Sequence, residues 1–131
     1  MGTGNFIYVG CILAPNSRLG DFCQLNLKTT LGHDAVLDDF ATTAVGVDFA
    51  GYSHAGIGTY FGNHSTVLQS RKVGALSVVG AGGMVNRDLP PGIVAVGVPA
   101  KAIKKNSAYE DPRIGKVLTE RLQLTEQKQK T

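Results

Sequence analysis

Apolar residues recur along this chain every six positions, a period that fits neither an amphipathic helix nor a long alternating strand. From Ile7 the column runs through Leu13, Leu19, Leu25, Leu31, Leu37, Thr43, Phe49, Ala55, Phe61, Val67, Val73 and Val79 to Val85 without an insertion. A second column, one residue later, is rich in Gly, Asn and Asp: Gly20, Asn26, Gly32, Asp38, Gly56, Gly62, Gly74, Gly80. A third, four residues after the first, is mostly small: Cys11, Ser17, Cys23, Thr29, Ala35, Ala41, Ser53, Thr59, Ser65, Ser77, Gly83. Three columns in phase define a hexapeptide repeat.

Such a repeat predicts a coil of three short strands per turn, each hexad supplying one face of a triangular prism. Side chains alternate along a strand, so the large apolar residue and the small one two positions before it both point inward, and the core is narrow. The Gly-rich column is expected at the corners, where Gly, Asn and Asp tolerate positive φ. Coils stacked at about 4.8 Å give a rod of roughly five turns and about 25 Å. Its open ends need covers.

The register breaks at Arg87-Asp88-Leu89-Pro90-Pro91-Gly92, where two prolines cannot donate to a strand ladder. Ile93 to Ile103 is expected to resume as a short extended run that closes the rod. Asp111-Pro112 then offers an N-cap and a first helical residue, and Ile114, Val117, Leu118 and Leu122 recur at helical spacing. Gly115 weakens the first turn of that helix, and its apolar stripe needs a surface, either its own coil or a neighbouring subunit. The tail after Glu126 is expected to fray. The reading is an all-β parallel β-helix over residues 1–105 with a short C-terminal α-helical extension over 106–131.

Charge and composition narrow the function. A net charge of +3, scattered along the chain, argues against nucleic acid and suits a small phosphate-bearing ligand. No apolar run approaches the ~20 residues of a membrane span, and the first residues do not read as a secretory leader, so a cytoplasmic location is expected. Cys11 and Cys23 fall in the small inward column on different faces, as core thiols rather than a disulfide or metal pair. Tyr8, Phe22, Phe40, Tyr52 and Tyr60 point outward and offer an aromatic surface to a neighbour.

The stretch from Leu31-Gly32-His33-Asp34 through Asp39-Phe40, Ala50-Gly51, Val79-Gly80-Ala81-Gly82, Asp88-Leu89-Pro90-Pro91-Gly92 and Gly97-Val98-Pro99-Ala100-Lys101 resembles bacterial hexapeptide-repeat acyltransferases. Within them it is most similar to the sialic acid O-acetyltransferase and sugar-nucleotide N-acetyltransferase group. The proline-rich ending marks the superfamily, and His-Asp followed by Asp-Phe is the narrower signal. The resemblance implies a left-handed coil, a homotrimer, acetyl-CoA in the groove between subunits, no metal, and a small sugar-related acceptor. It also implies direct attack of an acceptor amine or hydroxyl on the thioester, with His33 as general base, a role worth roughly 10²–10⁴ in rate. Asp34 matches the acidic neighbour that stabilises the imidazolium. Thr42 stands where the family commonly has a second histidine on the acetyl carbonyl, and Gly51 offers a backbone N–H in its place. Asn63 and Ala81 match positions along the pantetheine, while Lys101, Lys104 and Lys105 are candidates to meet the CoA phosphates as point charges or else form a solvated face. Members of that group usually carry an N-terminal α/β domain for the acceptor, whereas here the repeat begins at once, so the expectation is a repeat domain without it.

Two other readings stand beside this one. On residues alone, His33 is equally an exposed corner histidine beside a solvated Asp34, the chain then being a non-catalytic trimeric scaffold. Coils of this kind also occur as γ-type carbonic anhydrases with three histidines on zinc. Here His33 and His54 share a face on adjacent coils but at different hexad positions, His64 lies on another face, and the characteristic pair of histidines five residues apart is absent, which argues against it.

Overall fold

The computed structural model describes residues 1–130, with the backbone alone for Leu122, Thr125, Glu126 and residues 128–130. The expected packing of Leu122 and the fraying of the tail therefore lie outside the described side chains.

Every hexad forms one two-residue strand, and the strands deal themselves in rotation onto three faces. Face A holds β1 (Phe6–Ile7), β4 (Gln24–Leu25), β7 (Thr42–Thr43), β10 (Tyr60–Phe61) and β13 (Val78–Val79). Face B holds β2 (Ile12–Leu13), β5 (Thr30–Leu31), β8 (Asp48–Phe49), β11 (Thr66–Val67) and β14 (Met84–Val85), and face C holds β3 (Arg18–Leu19), β6 (Val36–Leu37), β9 (His54–Ala55) and β12 (Lys72–Val73). All these pairings are parallel, and each residue meets the one a full coil of eighteen later, Phe6 against Gln24 and Gln24 against Thr42. Residues 14–17, 32–35, 50–53 and 68–71 form the edge between faces B and C. Residues 20–23, 38–41, 56–59 and 74–77 form the C/A edge, and 26–29, 44–47, 62–65 and 80–83 the A/B edge.

The inward columns are as the repeat predicts. From Leu19 to Val85 every residue of the apolar column is buried, with Phe49 and Phe61 edge-to-face at 4.8 Å between centroids. Thr43, the polar exception, shares a 2.9 Å hydrogen bond with buried Thr29, and its hydroxyl also accepts from the Asn26 N–H. Polarity is tolerated there because both hydroxyls are satisfied.

The corners differ from expectation. Positive φ falls not on the Gly-rich column but two residues later, on Asn16, Phe22, Lys28, Asp34, Phe40, Tyr52, His64, Ser70 and Leu76 as well as on glycines. The Gly-rich column serves a different need: a Cβ on Gly62 would lie 2.5 Å from the Ala81 nitrogen of the next coil, and one on Gly32 would lie 2.7 Å from that of Gly51. Those glycines let coils close on each other; they do not turn the chain.

The closure also differs. β15 (Ile93–Val96) joins face A beside β13, with Val78 against Val94, but the run to Ile103 is not continuous. It reverses through Gly97 to Ala100, Gly97 taking φ 100°, and returns as β16 (Lys101–Lys105) antiparallel to β15. A glycine able to take that φ, followed by a proline with no N–H, makes a turn of what composition reads as strand.

α1 (Pro112–Lys130) starts as predicted, Asp111 Oδ1 accepting the Arg113 N–H at 2.9 Å, and the Arg113 guanidinium holds the Asp111 carboxyl below its usual range. The helix lies along the C/A edge of its own rod. Ile114, Val117, Leu118 and Arg121 share a groove with Phe40, Ile57, Gly58 and Leu76. Arg121 reaches Asp21 at 3.5 Å and Asp39 at 3.7 Å, and its guanidinium sits 5.0 Å from the Phe40 ring, which stacks on Phe22. Two of the outward aromatics are thus partnered within the chain.

Cys23 is buried, and its thiol is pushed up to about 11, first by desolvation and then by the carboxylates of Asp39 and Asp38. The thiolate is the nucleophile. At neutral pH a thiol-reactive dye is therefore expected to label the less buried Cys11 in the native protein and Cys23 only on unfolding, which mass mapping of the labelled peptides reads directly.

Candidate functional site

The B/C edge brings His33, Asp34 and Gly51 together. His33 precedes the positive-φ residue Asp34, and this tight turn swings two adjacent side chains, which would diverge on a strand, onto one side. His33 Nδ1 and Asp34 Oδ2 are 3.2 Å apart, and the imidazole is more than half exposed. The coil above fixes the turn: the Tyr52 N–H donates to the His33 carbonyl at 3.0 Å, and the Tyr52 ring meets the imidazole edge-on at 5.2 Å.

Gly51 stands one coil above His33, and a Cβ there would lie 2.6 Å from His33 Nε2. The imidazole therefore occupies the space a side chain would take. The Gly51 N–H makes no hydrogen bond among the described residues. Gly51→Ala, whose backbone needs no positive φ, is expected to keep the fold and displace the ring. Circular dichroism should be unchanged while any His33-dependent activity falls about tenfold or more, since small misplacements of a catalytic group are costly.

The other predicted residues lie elsewhere on the single chain. Thr42 is half a coil away on face A, its hydroxyl 3.4 Å from the Phe40 carbonyl. Asn63 and Ala81 stack on the A/B edge, where Asn63 Oδ1 accepts the Val45 N–H at 2.9 Å and its carbonyl accepts the Gly82 N–H at 2.8 Å. Asn63 is thus tied into the coil, while beside Ala81 the position a Cβ on Gly82 would take is open. Lys101 opens β16 and lines, with Asn86, Arg87, Pro99 and Ala100, a cavity of about 330 Å³. Sequence reasoning overlooked Arg87; only the reversal at Gly97 to Ala100 brings it beside Lys101.

A second imidazole–carboxylate pair stands on face C, where His54 Nε2 and Asp38 Oδ2 are 2.8 Å apart. His54 was noted in the sequence, but Asp38 was read as a corner residue. Its signal was that it replaces glycine, since Gly20, Gly56 and Gly74 fill the same position on that face. Among the described residues no three His, Cys, Asp or Glu side chains converge as metal ligands, and His64 lies on the A/B edge against Gly46. No described helix is long and apolar enough to cross a membrane.

Known proteins share both the repeat and the shape. No family model matches the chain. Over 60 residues it is 45% identical to a Staphylococcus aureus protein that bears an acetyltransferase name, a match covering 46% of this chain and 30% of that protein. The acetyltransferase domain of PglB from Neisseria gonorrhoeae superposes with a TM-score of 0.72 at 26% identity, covering 78% of this chain and 53% of that one. A histidine mutant of perosamine N-acetyltransferase from Caulobacter crescentus, solved with CoA and GDP-perosamine, superposes at 0.58 with 28% identity, covering 77% of this chain and 57% of that one. By repeat and by shape, this chain is similar to hexapeptide-repeat acetyltransferases. The chain spans about a third of the length of that curated relative, 30%, so the activity of a whole protein is a matter for proposal.

Proposed function

We propose that this solenoid is an acetyl-CoA-dependent acetyltransferase acting on an amine or hydroxyl of a small sugar-related acceptor, with His33 as general base. The observation that carries the reading is the His33–Asp34–Gly51 cluster, an exposed imidazole held by a carboxylate and set against a glycine whose N–H makes no hydrogen bond among the described residues. With Nδ1–H donating to Asp34, Nε2 presents a lone pair to the acceptor proton, and the imidazolium that results faces a carboxylate. The Gly51 N–H is a donor for developing negative charge on the acetyl oxygen. Acetyl-CoA supplies the activated thioester. The residues fit it: Arg87 and Lys101 border a cavity suited to phosphate, and the open side of Gly82 leaves room along the A/B edge. The acetyltransferase names and bound CoA of the similar proteins support the donor, and GDP-perosamine in one of them supports a sugar acceptor.

The reading includes a homotrimer. His33 and Gly51 lie on the B/C edge while Asn63 and Ala81 lie on the A/B edge, so a groove holding both sets needs two copies of the chain. The third edge, C/A, is occupied by α1. In a threefold assembly the two bare edges meet their neighbours and face B, between them, turns to the axis. Thr66, pointing out from β11 on face B, is then buried. Thr66→Arg is expected to convert trimer to monomer in light scattering, while Lys72→Glu on face C leaves the trimer intact.

Isothermal titration of acetyl-CoA, with light scattering on the same sample, tests the reading. One molecule bound per subunit of a trimer is expected; no heat at millimolar ligand turns the reading to a non-catalytic scaffold.

A further inference from the structure

We propose that the cleft on face C is a pyranose-binding subsite in which Arg18 and the Asp38–His54 pair hold the hydroxyls of one sugar ring. The proposal deepens the acetyltransferase reading and rests on it for the sugar's role as acceptor.

The cleft, about 480 Å³, is lined by Arg18, Val36, Asp38, Asp39 and His54 together with Asp21 and the first residues of the chain. Its polar groups break the rule of the solenoid. On face C the residue after each strand is Gly20, Gly56 or Gly74, and a Cβ at Gly56 or Gly74 would meet the backbone of the next coil at 2.8 or 2.3 Å. Asp38 alone places a side chain there, and its carboxylate is spent on His54 at 2.8 Å rather than on capping a backbone N–H. Departures from a local structural rule without structural gain concentrate at functional sites.

The spacing selects the ligand. Arg18, Val36 and His54 are successive members of one ladder, Arg18 paired with Val36 and Val36 with His54. Two strand spacings put the Cα atoms of Arg18 and His54 about 10 Å apart, with the imidazole leaning one coil down to Asp38. Long side chains anchored at that spacing can reach hydroxyls on opposite sides of one pyranose ring at hydrogen-bond distance, about 2.8 Å. Val36, between them, presents an apolar floor to the C–H face of the ring. The Arg18 side chain makes no ion pair or hydrogen bond among the described residues, so its planar donors are available to hydroxyls. Asp38 orients the imidazole, leaving Nδ1 for a further hydroxyl.

Charge argues against a phosphate in the same place. Asp21 and Asp39 are both held by Arg121, and Asp38 by His54, so the cleft carries three carboxylates against Arg18 and Arg121 and has no surplus of fixed positive charge. A neutral polyol matches such a balanced set of donors and acceptors. The position also suits an acceptor: Tyr52, which touches His33, is two residues before His54, so a ring on face C can extend its nucleophile over the B/C edge to His33.

The test follows the imidazole signals of His33 and His54 by ¹⁵N NMR while D-glucose, D-glucosamine, GDP and acetyl-CoA are added separately. Either hexose is expected to shift His54 saturably at up to tens of millimolar, GDP is expected to leave it in place, and acetyl-CoA to report at His33. In Arg18→Gln, at an exposed residue, and in Asp38→Asn, a same-shape exchange at a half-buried one, hexose affinity is expected to fall about tenfold, the loss for removing a hydrogen bond to a charged group. Silence of His54 with both hexoses, an equal shift with GDP, or unchanged affinity in Arg18→Gln overturns the proposal. A hexose shift at His54 with no acetyl-CoA signal anywhere would instead remove the transferase reading and leave the sugar site standing.

Discussion

His33→Ala is expected to lower acetyl transfer by about 10²–10⁴, the usual contribution of a positioned general base, with little change in stability or assembly. The side chain is more than half exposed, and its one side-chain hydrogen bond, to Asp34, is at the surface. Removing it leaves no buried polar group unpaired, so the loss should appear in turnover and not in melting temperature. The effect on the KM for acetyl-CoA should be small, because the imidazole acts on the acceptor proton. Asp34→Asn separates base from orienter. It keeps the shape and removes the charge facing an imidazolium, so a smaller fall in kcat is expected, read by following CoA thiol release across pH. Equal transfer rates in His33→Ala and the unaltered protein would sink the assignment of the B/C edge as the active edge.

Phe61→Ala should have the largest effect on stability. Phe61 is fully buried at mid-rod, and its ring meets Phe49 edge-on at 4.8 Å. Its loss is expected to cost about 3–5 kcal/mol through lost transfer free energy and an unfilled cavity. For a chain of this size that corresponds to roughly 10–20 °C in Tm. In a stacked-coil protein each turn is stabilised chiefly by its neighbours, so a hole in the middle coils should also broaden the transition. Calorimetry reads both effects. A change below about 1 kcal/mol would mean that neighbouring coils collapse into the space, which backbone ladders at fixed spacing oppose.

The rod was legible because its three columns carry one physical instruction each. Inward apolar and small positions are fixed by alternation along the strand, and these were read correctly down to Thr43. The corners were misread because Gly, Asn and Asp signal both positive φ and close approach, and only the geometry of the next coil separates the two. Phe22, Phe40 and Tyr52 hold positive φ despite their bulk, since the ladders on both sides of each turn impose it. The hairpin of β15 and β16 was hidden for a similar reason: its turn, Gly97 to Ala100, lies within residues of strand-like composition. At the site, His33 and Asp34 were readable as neighbours in sequence, whereas Gly51 came from the family resemblance alone, and only the eighteen-residue step of the rod shows that it stands on His33. The Asp38–His54 pair escaped because it joins positions sixteen apart, out of step with the eighteen-residue ladder.

That ladder makes length a discrete variable. Since Phe6 pairs with Gln24 and every later coil repeats the step, adding or deleting one full turn of eighteen residues between coils would return all three faces to alignment. Any other change would rotate everything above the cut by one or two faces, or throw inward residues out. His33 and Gly51 sit in consecutive turns, whereas Arg87 and Lys101 sit at the closing end. A spare turn inserted between them would leave the geometry of the B/C edge intact and move the cavity proposed for the phosphates away by one strand spacing, about 4.8 Å. The rod therefore acts as a ruler. It has one graduation per turn, and the number of turns sets how long a donor molecule must be to touch both ends.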